Sequence, residues 1–236
     1  MRKGSMVLVF ISVFSFFCWS QAEAPKAAPA KKPVSHAAAE PTAVIDTTAG
    51  KLTCDLFPDK APIGVANFVG LSKGTKVWTD PVSGKKKTGV PLYDGTIFHR
   101  VIPEFMIQGG DPKGDGTGDA GYKFKNETSP DLLFDRPGRL AYANAGPDTN
   151  GSQFFVTEVP YPSLNGGYTI FGQCDDASVE LVKQIARAPR DSNDRPSQPV
   201  KINHITISGS SGTHKPSAAR PVSKKQTTTP STTSSQ

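Results

Sequence analysis

The chain has no apolar run of comfortable membrane-spanning length. The longest, Met6 to Trp19, falls short of the roughly 20 residues that a helix needs to cross a bilayer. Arg2 and Lys3 stand before it and the small residues Ala22 and Ala24 after it, which is the layout of a secretory signal peptide. Cleavage is expected after Ala22, because Pro25 is awkward just beyond a cut at Ala24, and no membrane span is then expected to remain. An uncleaved anchor is the alternative. A lipid anchor at Cys18 is disfavoured by Ser15, Phe16 and Phe17, which make a poor lipobox. The protein is expected to be exported, to the periplasm or the extracellular space.

A charge of one sign is also missing from the part that can fold. The formal net charge is +6, yet acids and bases nearly balance between Pro41 and Gly209. The basic excess sits in Arg2 and Lys3, in Lys26, Lys31 and Lys32, and in Lys215, Arg220, Lys224 and Lys225. Basic extensions hold a protein weakly to anionic surfaces. They imply no domain-wide basic face, so no nucleic-acid partner is expected, and the domain is expected to be a monomer.

Cysteine is scarce, with three in 236 residues, and only Cys54 and Cys174 lie beyond the expected cleavage point. Export would place them in an oxidising compartment. Either they pair, closing a long loop for a gain on the order of 3 to 5 kcal/mol, or they are two buried free thiols. Sequence alone leaves both open, since the separation of their Cα atoms is not visible in it.

What remains divides cleanly by composition into a signal over 1–22, a linker over 23–41, a folded domain over 42–209 and a tail over 210–236. The linker is rich in Ala, Pro and Lys, and the Ser/Thr/Pro/Lys tail is of low complexity. In the domain, AVIDT (Ala43–Thr47) and KLTCDLF (Lys51–Phe57) flank an Ala-Gly turn and read as a hairpin. A helix is predicted from Pro62, with Val65, Phe68 and Val69 at helical spacing and Gly74 beyond its end. A polar loop follows over Lys73 to Pro91. Strands are predicted at TIFHRVI, FMIQGG, RLAYA, SQFFVT, Tyr168 to Cys174 and PVKINHITIS, and a second helix over Ala177 to Arg187. Many short strands and two helices imply an all-β domain, sandwich or barrel.

Several chemistries can be set aside. Gly116, Gly118 and Gly121 match G-x-G-x-x-G, but no helix follows them as a dinucleotide site requires. Asp111, Asp115 and Asp119 miss the calcium-loop spacing. Gly151-Ser152 lacks the nucleophile-elbow pattern. No metal and no cofactor is expected.

The conspicuous stretch is FHRVIPEFMIQGGD, Phe98 to Asp111, where a permanent cation stands among apolar residues with an amide just before two glycines. A guanidinium cannot shed its charge, so burying it costs energy unless a polar group meets it. The plain alternative is an arginine pointing to solvent from a barrel strand. With ANAGPDTNGSQFF at Ala143 to Phe155 and LNGGYTIFG at Leu164 to Gly172, this stretch resembles, in order, three blocks of the cyclophilins, the peptidyl-prolyl cis-trans isomerases. The resemblance runs over roughly Thr42 to Ser208.

That resemblance implies a closed eight-stranded antiparallel barrel capped by two α-helices, acting on proline-containing polypeptides during the folding of exported proteins. It places Arg100, Phe105, Met106 and Gln108 in the catalytic site, and Ala143, Asn144, Ala145, Phe155, Leu164 and Tyr168 in substrate binding. A proline-peptide binding module or holdase with incidental isomerase activity is the alternative. By the same resemblance Phe98 and Phe154, which alternate with site residues, should face the barrel core. Ser163 stands where many members carry a tryptophan, which implies weak cyclosporin binding. Tyr168 replaces a histidine common in the family, as in bacterial-type members, and keeps an aromatic wall.

Overall fold

The computed structural model describes residues 40–209. The expected signal peptide, most of the linker and the tail lie outside the described residues.

Why these segments become strands is visible in their burial. In β1 (Thr42–Thr47) Ala43, Ile45 and Thr47 are buried, and in β2 (Gly50–Leu56) Leu52, Cys54 and Leu56 are, so each hides one face at period two. The two form the predicted hairpin, with Thr42 opposite Asp55 and Thr47 opposite Gly50. The remaining strands are β3 (Trp78–Thr79), β4 (Lys86–Lys87), β5 (Arg100–Ile102), β6 (Met106–Gly109), β7 (Arg139–Tyr142), β8 (Phe154–Thr157), β9 (Ile170–Cys174) and β10 (Ile202–Ser208). Eight of them make one antiparallel sheet in the order β10-β1-β2-β9-β7-β8-β6-β5.

This is a strongly curled, mostly β architecture with two helices. The closure expected from the sequence is not carried by a ladder: none joins the edge strands β5 and β10 among the described residues. The chain just ahead of each edge makes the contact instead. Phe98 N–H donates to Val200 O at 3.0 Å and Ile202 N–H to Thr96 O at 2.8 Å, around an isolated bridge between Ile97 and Lys201. The predicted strand Thr96–Ile102 therefore shrinks to three residues, and the predicted last strand starts at Ile202 rather than Pro199. The loop over Lys73 to Pro91 contains the short β3–β4 hairpin.

Both helices appear close to their predicted bounds, α1 at Pro62–Ser72 and α2 at Asp176–Ala186. Asp175 caps α2 by accepting the Ser178 N–H at 2.8 Å. Ala61, which precedes α1, has no capping side chain. The Glu127 carboxylate, far away in sequence, takes its place by accepting the N–H groups of Ile63 and Gly64 at 3.0 and 2.7 Å. Neither helix is long and apolar enough to cross a membrane.

The principal core is aromatic. Phe68 of α1 has ring centroids 5.2, 5.5 and 5.1 Å from Tyr93, Phe154 and Phe171, all fully buried. Cys54 and Cys174 stand directly opposite one another on β2 and β9 and are joined by a disulfide. Register across this pair decides between the two readings that the sequence left open.

Candidate active site

A second, smaller cluster lies on the other face of the same strands. It holds Met106, Phe134, Ala141, Phe155 and Ile170, with Phe105, Ala143, Leu164 and Tyr168 packed against it. Ladder register lines up its centre. Arg100 on β5 is opposite Gln108 on β6, Gln108 opposite Phe155 on β8, Phe155 opposite Ala141 on β7, and Ala141 opposite Ile170 on β9. The alternating neighbours Val101, Ile107, Leu140, Phe154 and Val156 belong to the principal core. Phe98 and Phe154 thus face inward, as the alternation predicts.

A cavity of about 200 Å³ opens on this outer face. It is lined by Arg100, Phe105, Met106, Gln108, Ala143, Asn144, Phe155, Leu164 and Tyr168. Nine of the ten residues singled out from the sequence therefore meet around one space. The tenth, Ala145, is exposed in the rim loop, where its N–H donates to Thr149 Oγ1 at 2.9 Å. Ser163 is exposed in the 3₁₀ turn Pro162–Leu164 and does not line the cavity.

The walls are held from outside the cavity. Phe134, missed in the sequence, is buried and stacks on Phe155 with centroids 5.9 Å apart, while Tyr168 meets both rings edge-on at 6.4 and 5.6 Å. Nothing in its own segment, SPDLLFDRPG, points to this role; only the fold brings it under Phe155. The turn between β5 and β6 carries Glu104 at φ 56°. Its N–H donates to the buried Glu158, whose other oxygen accepts from Arg187 at 2.6 Å, and that ties the turn to the end of α2. On the facing rim, Gly167 O accepts from the side-chain amides of Asn144 and Asn126, both at 3.0 Å.

Gln153 is another residue that sequence reasoning passed over, although its spacing of two from Phe155 puts it on the site face. Its Oε1 accepts from Gln108 Nε2 at 2.9 Å, and its own Nε2 donates to Gly116 O and Gly118 O at 3.0 and 2.7 Å. The glycine-rich loop is thereby latched to the site. Asp111 shapes that loop from within, accepting the N–H groups of Lys113, Asp115, Gly116 and Gly118 at 2.6 to 3.2 Å. These are amides that a phosphate-binding loop would need free, which is the physical reason the G-x-G-x-x-G match carries no dinucleotide site.

Arg100 supplies the positive charge. It is partly exposed, its Nε lies 3.8 Å from Asp194 Oδ2, and among the described residues it donates no hydrogen bond within the protein. Its donors are therefore available to the cavity. Next to it, His99 is buried, and burial lowers its pKa despite the opposing pull of Asp111. That leaves a fixed cation at the edge of an apolar, aromatic hollow, with the Gln108 amide oriented by Gln153. Such a site can bind a compact apolar ring and place a hydrogen-bond donor against a group that gains electron density as it reacts. It holds no nucleophile paired with a base.

Comparison with known proteins agrees in extent with this domain. The family model for cyclophilin type peptidyl-prolyl cis-trans isomerase/CLD matches residues 42–207. The chain is 52% identical over 168 residues to peptidyl-prolyl cis-trans isomerase A of Mycobacterium tuberculosis, covering 71% of this chain and 92% of that protein. It is 48% identical over 167 residues to peptidyl-prolyl cis-trans isomerase B of Streptomyces anulatus, covering 70% and 95%. Among solved structures it is similar to a Cryptosporidium parvum cyclophilin type isomerase crystallised in the presence of the dipeptide Ala-Pro. The TM-score there is 0.61 at 37% identity, covering 71% of this chain and 98% of the other.

Proposed function

The chain belongs to the cyclophilin-type peptidyl-prolyl cis-trans isomerases, and from that premise we propose how its own residues perform the isomerisation of X-Pro bonds and where they do so. Amide resonance sets a barrier of about 18 to 20 kcal/mol against rotation of a peptide bond. The two isomers of X-Pro are nearly balanced in energy, so speed is the whole task. When the bond twists, resonance is lost and the imide nitrogen becomes pyramidal, with a localised lone pair. A donor that meets this lone pair stabilises the twisted state and neither planar one.

Arg100 is that donor. The single observation that carries this reading is its position: a guanidinium without hydrogen bonds among the described residues, lining a cavity whose apolar walls include Phe105, Met106, Phe155 and Leu164. Those apolar walls grip the proline ring and keep the effective dielectric low, so that one donor counts for more. Gln108 and the backbone of Asn144 hydrogen-bond the substrate chain on one side, and the other side turns. No proton is transferred and no covalent bond is broken.

The test is Arg100→Ala, followed by isomerisation of a proline peptide and by binding of the same peptide. Loss of an aligned donor is expected to cost about 10² to 10³ in kcat, with affinity largely kept. Unchanged turnover would refute the role of Arg100 and favour a proline-binding holdase.

We also propose that the protein is exported and assists folding where X-Pro isomerisation, taking tens of seconds, limits the rate. Support comes from the basic-then-apolar N-terminus and from the Cys54–Cys174 disulfide, a bond at home in an oxidising compartment. In the same reading, the contacts between Thr96–Phe98 and Val200–Ile202 serve as the closing seam of a barrel. Processing at Ala22, checked by the N-terminal sequence of the protein recovered from its host, tests the export reading.

A further inference from the structure

Beside the proline cavity lies a larger one of about 390 Å³ that shares Arg100 and Gln108 with it. Its other walls are the imidazole of His99 and two loops remote in sequence, the glycine-rich loop with Asp115 and the turn that carries Asp191 and Arg195. The two loops are tied together, since Arg195 Nη1 donates to Gly114 O at 2.6 Å.

By count the cavity is neutral, with two guanidiniums and two carboxylates, but the two signs are not equally available. Asp115 Oδ1 accepts both the N–H and the hydroxyl of Thr117, at 2.9 and 2.6 Å, and its Oδ2 meets Lys113 Nζ at 3.0 Å. Asp191 Oδ1 accepts the N–H groups of Asn193 and Arg195 at 2.8 and 2.9 Å. Both acids are thus engaged in shaping their own loops. A guanidinium offers five N–H donors. Arg195 has spent one on Gly114, while Arg100, whose Nε faces Asp194 at 3.8 Å, donates no hydrogen bond among the described residues. What the cavity presents to a visitor is a surplus of charged donors, the arrangement that suits a carboxylate.

We propose that this cavity is a subsite for an acidic side chain flanking the proline, held chiefly by Arg195 with Arg100 at its border. The enzyme would then prefer proline segments with Asp or Glu close to the proline. Successive residues of an extended chain advance about 3.3 Å, so a residue within two of the proline can reach across the shared Arg100. The proposal rests on the isomerase reading of the adjoining groove.

The experiment uses the full-length chain and matched proline peptides carrying Glu, Gln or Lys at each of the two positions on either side of the proline. At one of these positions, Glu is expected to exceed Lys in kcat/KM by about tenfold at low salt, shrinking as salt rises. In Arg195→Gln the Glu-to-Lys ratio is expected to fall towards one. Because this ratio is taken within one protein, any loss of folded material cancels. Equal kcat/KM for the three peptides at every position in the wild type, or an unchanged ratio in R195Q, overturns the subsite and leaves the isomerase reading intact. Turnover of none of the peptides would instead overturn the isomerase reading. In that event, and equally if R195Q does not fold, calorimetric titration of the wild type with the Glu and Lys peptides decides the matter: tighter Glu binding sustains the subsite and equal binding refutes it.

Discussion

Asp194 holds its carboxylate between two arginines, with Oδ2 3.8 Å from Arg100 Nε and Oδ1 3.2 Å from Arg190 Nε. Its backbone is at φ 61°, a region that glycine occupies at no cost and aspartate tolerates. The turn that imposes this conformation is held by Asp191 and docks on β5 through Val101 N–H to Asp194 O at 2.9 Å. An acid is therefore kept where glycine would be easier, directly beside the arginine that faces the proline cavity. Arg190 shares the acid, so the three-residue set keeps a net positive charge.

This separates positioning from folding in one substitution. Asp194→Gly removes the carboxylate and relieves the backbone, so the thermal midpoint should stay within a few degrees of wild type. A partly exposed ion pair is worth at most about 1 kcal/mol, so kcat should fall about two- to fivefold with KM little changed. Asp194→Glu should recover part of the loss. A kcat equal to wild type in D194G would show that Arg100 needs no anchor.

Adjacent phenylalanines on β8 should fail in different ways. Phe154→Ala empties part of the aromatic core around Phe68, Tyr93 and Phe98 and should cost about 3 to 5 kcal/mol, with the turnover of the remaining folded molecules near wild type. Phe155→Ala removes the cavity wall backed by Phe134 and should raise KM and lower kcat/KM at a smaller cost in stability. Urea denaturation paired with steady-state kinetics tells them apart.

The disulfide should matter for stability and little for rate. Replacing Cys54 and Cys174 by alanine releases a crosslink between residues 120 apart in sequence. The model of constrained loops puts the loss at about 4 to 5 kcal/mol. Both cysteines are buried in the folded protein, so treating the folded protein with a mild reductant that is removed before denaturation should leave the midpoint unchanged.

Stability should fall as pH drops through the range of histidine. Burial lowers the pKa of His99 below its ordinary value, so the unfolded chain binds a proton that the folded imidazole resists. The contribution is fully present above about pH 6.5 and is lost progressively below it, down through the lowered folded value. Asp115 and Asp135 titrate lower still, held down by hydrogen bonds from Thr117 and from Arg136 and Arg139, so they do not overlap this window. In His99→Gln the slope of the urea midpoint between about pH 5 and 6.5 should flatten. The isomerisation rate of folded enzyme should stay level from about pH 7 to 8.5, because arginine does not titrate there.

Cyclosporin should inhibit weakly. Ser163 is exposed and outside the cavity, leaving that part of the rim without the tryptophan that many relatives of this fold present. Ser163→Trp should tighten inhibition, and a nanomolar inhibition constant for the unaltered chain in a peptide isomerisation assay would contradict this reading.

The residues that meet around the cavity could be named because they lie in three continuous blocks that resemble those of the cyclophilins. Within a strand, a period of two was enough to divide Phe154 from Phe155. The bounds of α1 were legible for a similar reason: Pro62 and Gly74 act on the backbone within a few residues of themselves. These are local effects, and local effects are written in the order of the chain. What joins distant segments was not legible. Phe134 behind Phe155, Glu127 capping α1, Gln153 latching the glycine-rich loop, Asp194 against Arg100 and the opposition of Cys54 to Cys174 all depend on register across the sheet and on the path of the loops. The edges of the curled sheet belong with them, because whether two strands can pair is decided by the accumulated twist and by the chain ahead of each. The sequence by itself, through its three blocks, determined which side chains to look for around one cavity, whereas only the tertiary structure decided what holds them there, since a contact between residues a hundred apart exists only once the backbone has closed the distance.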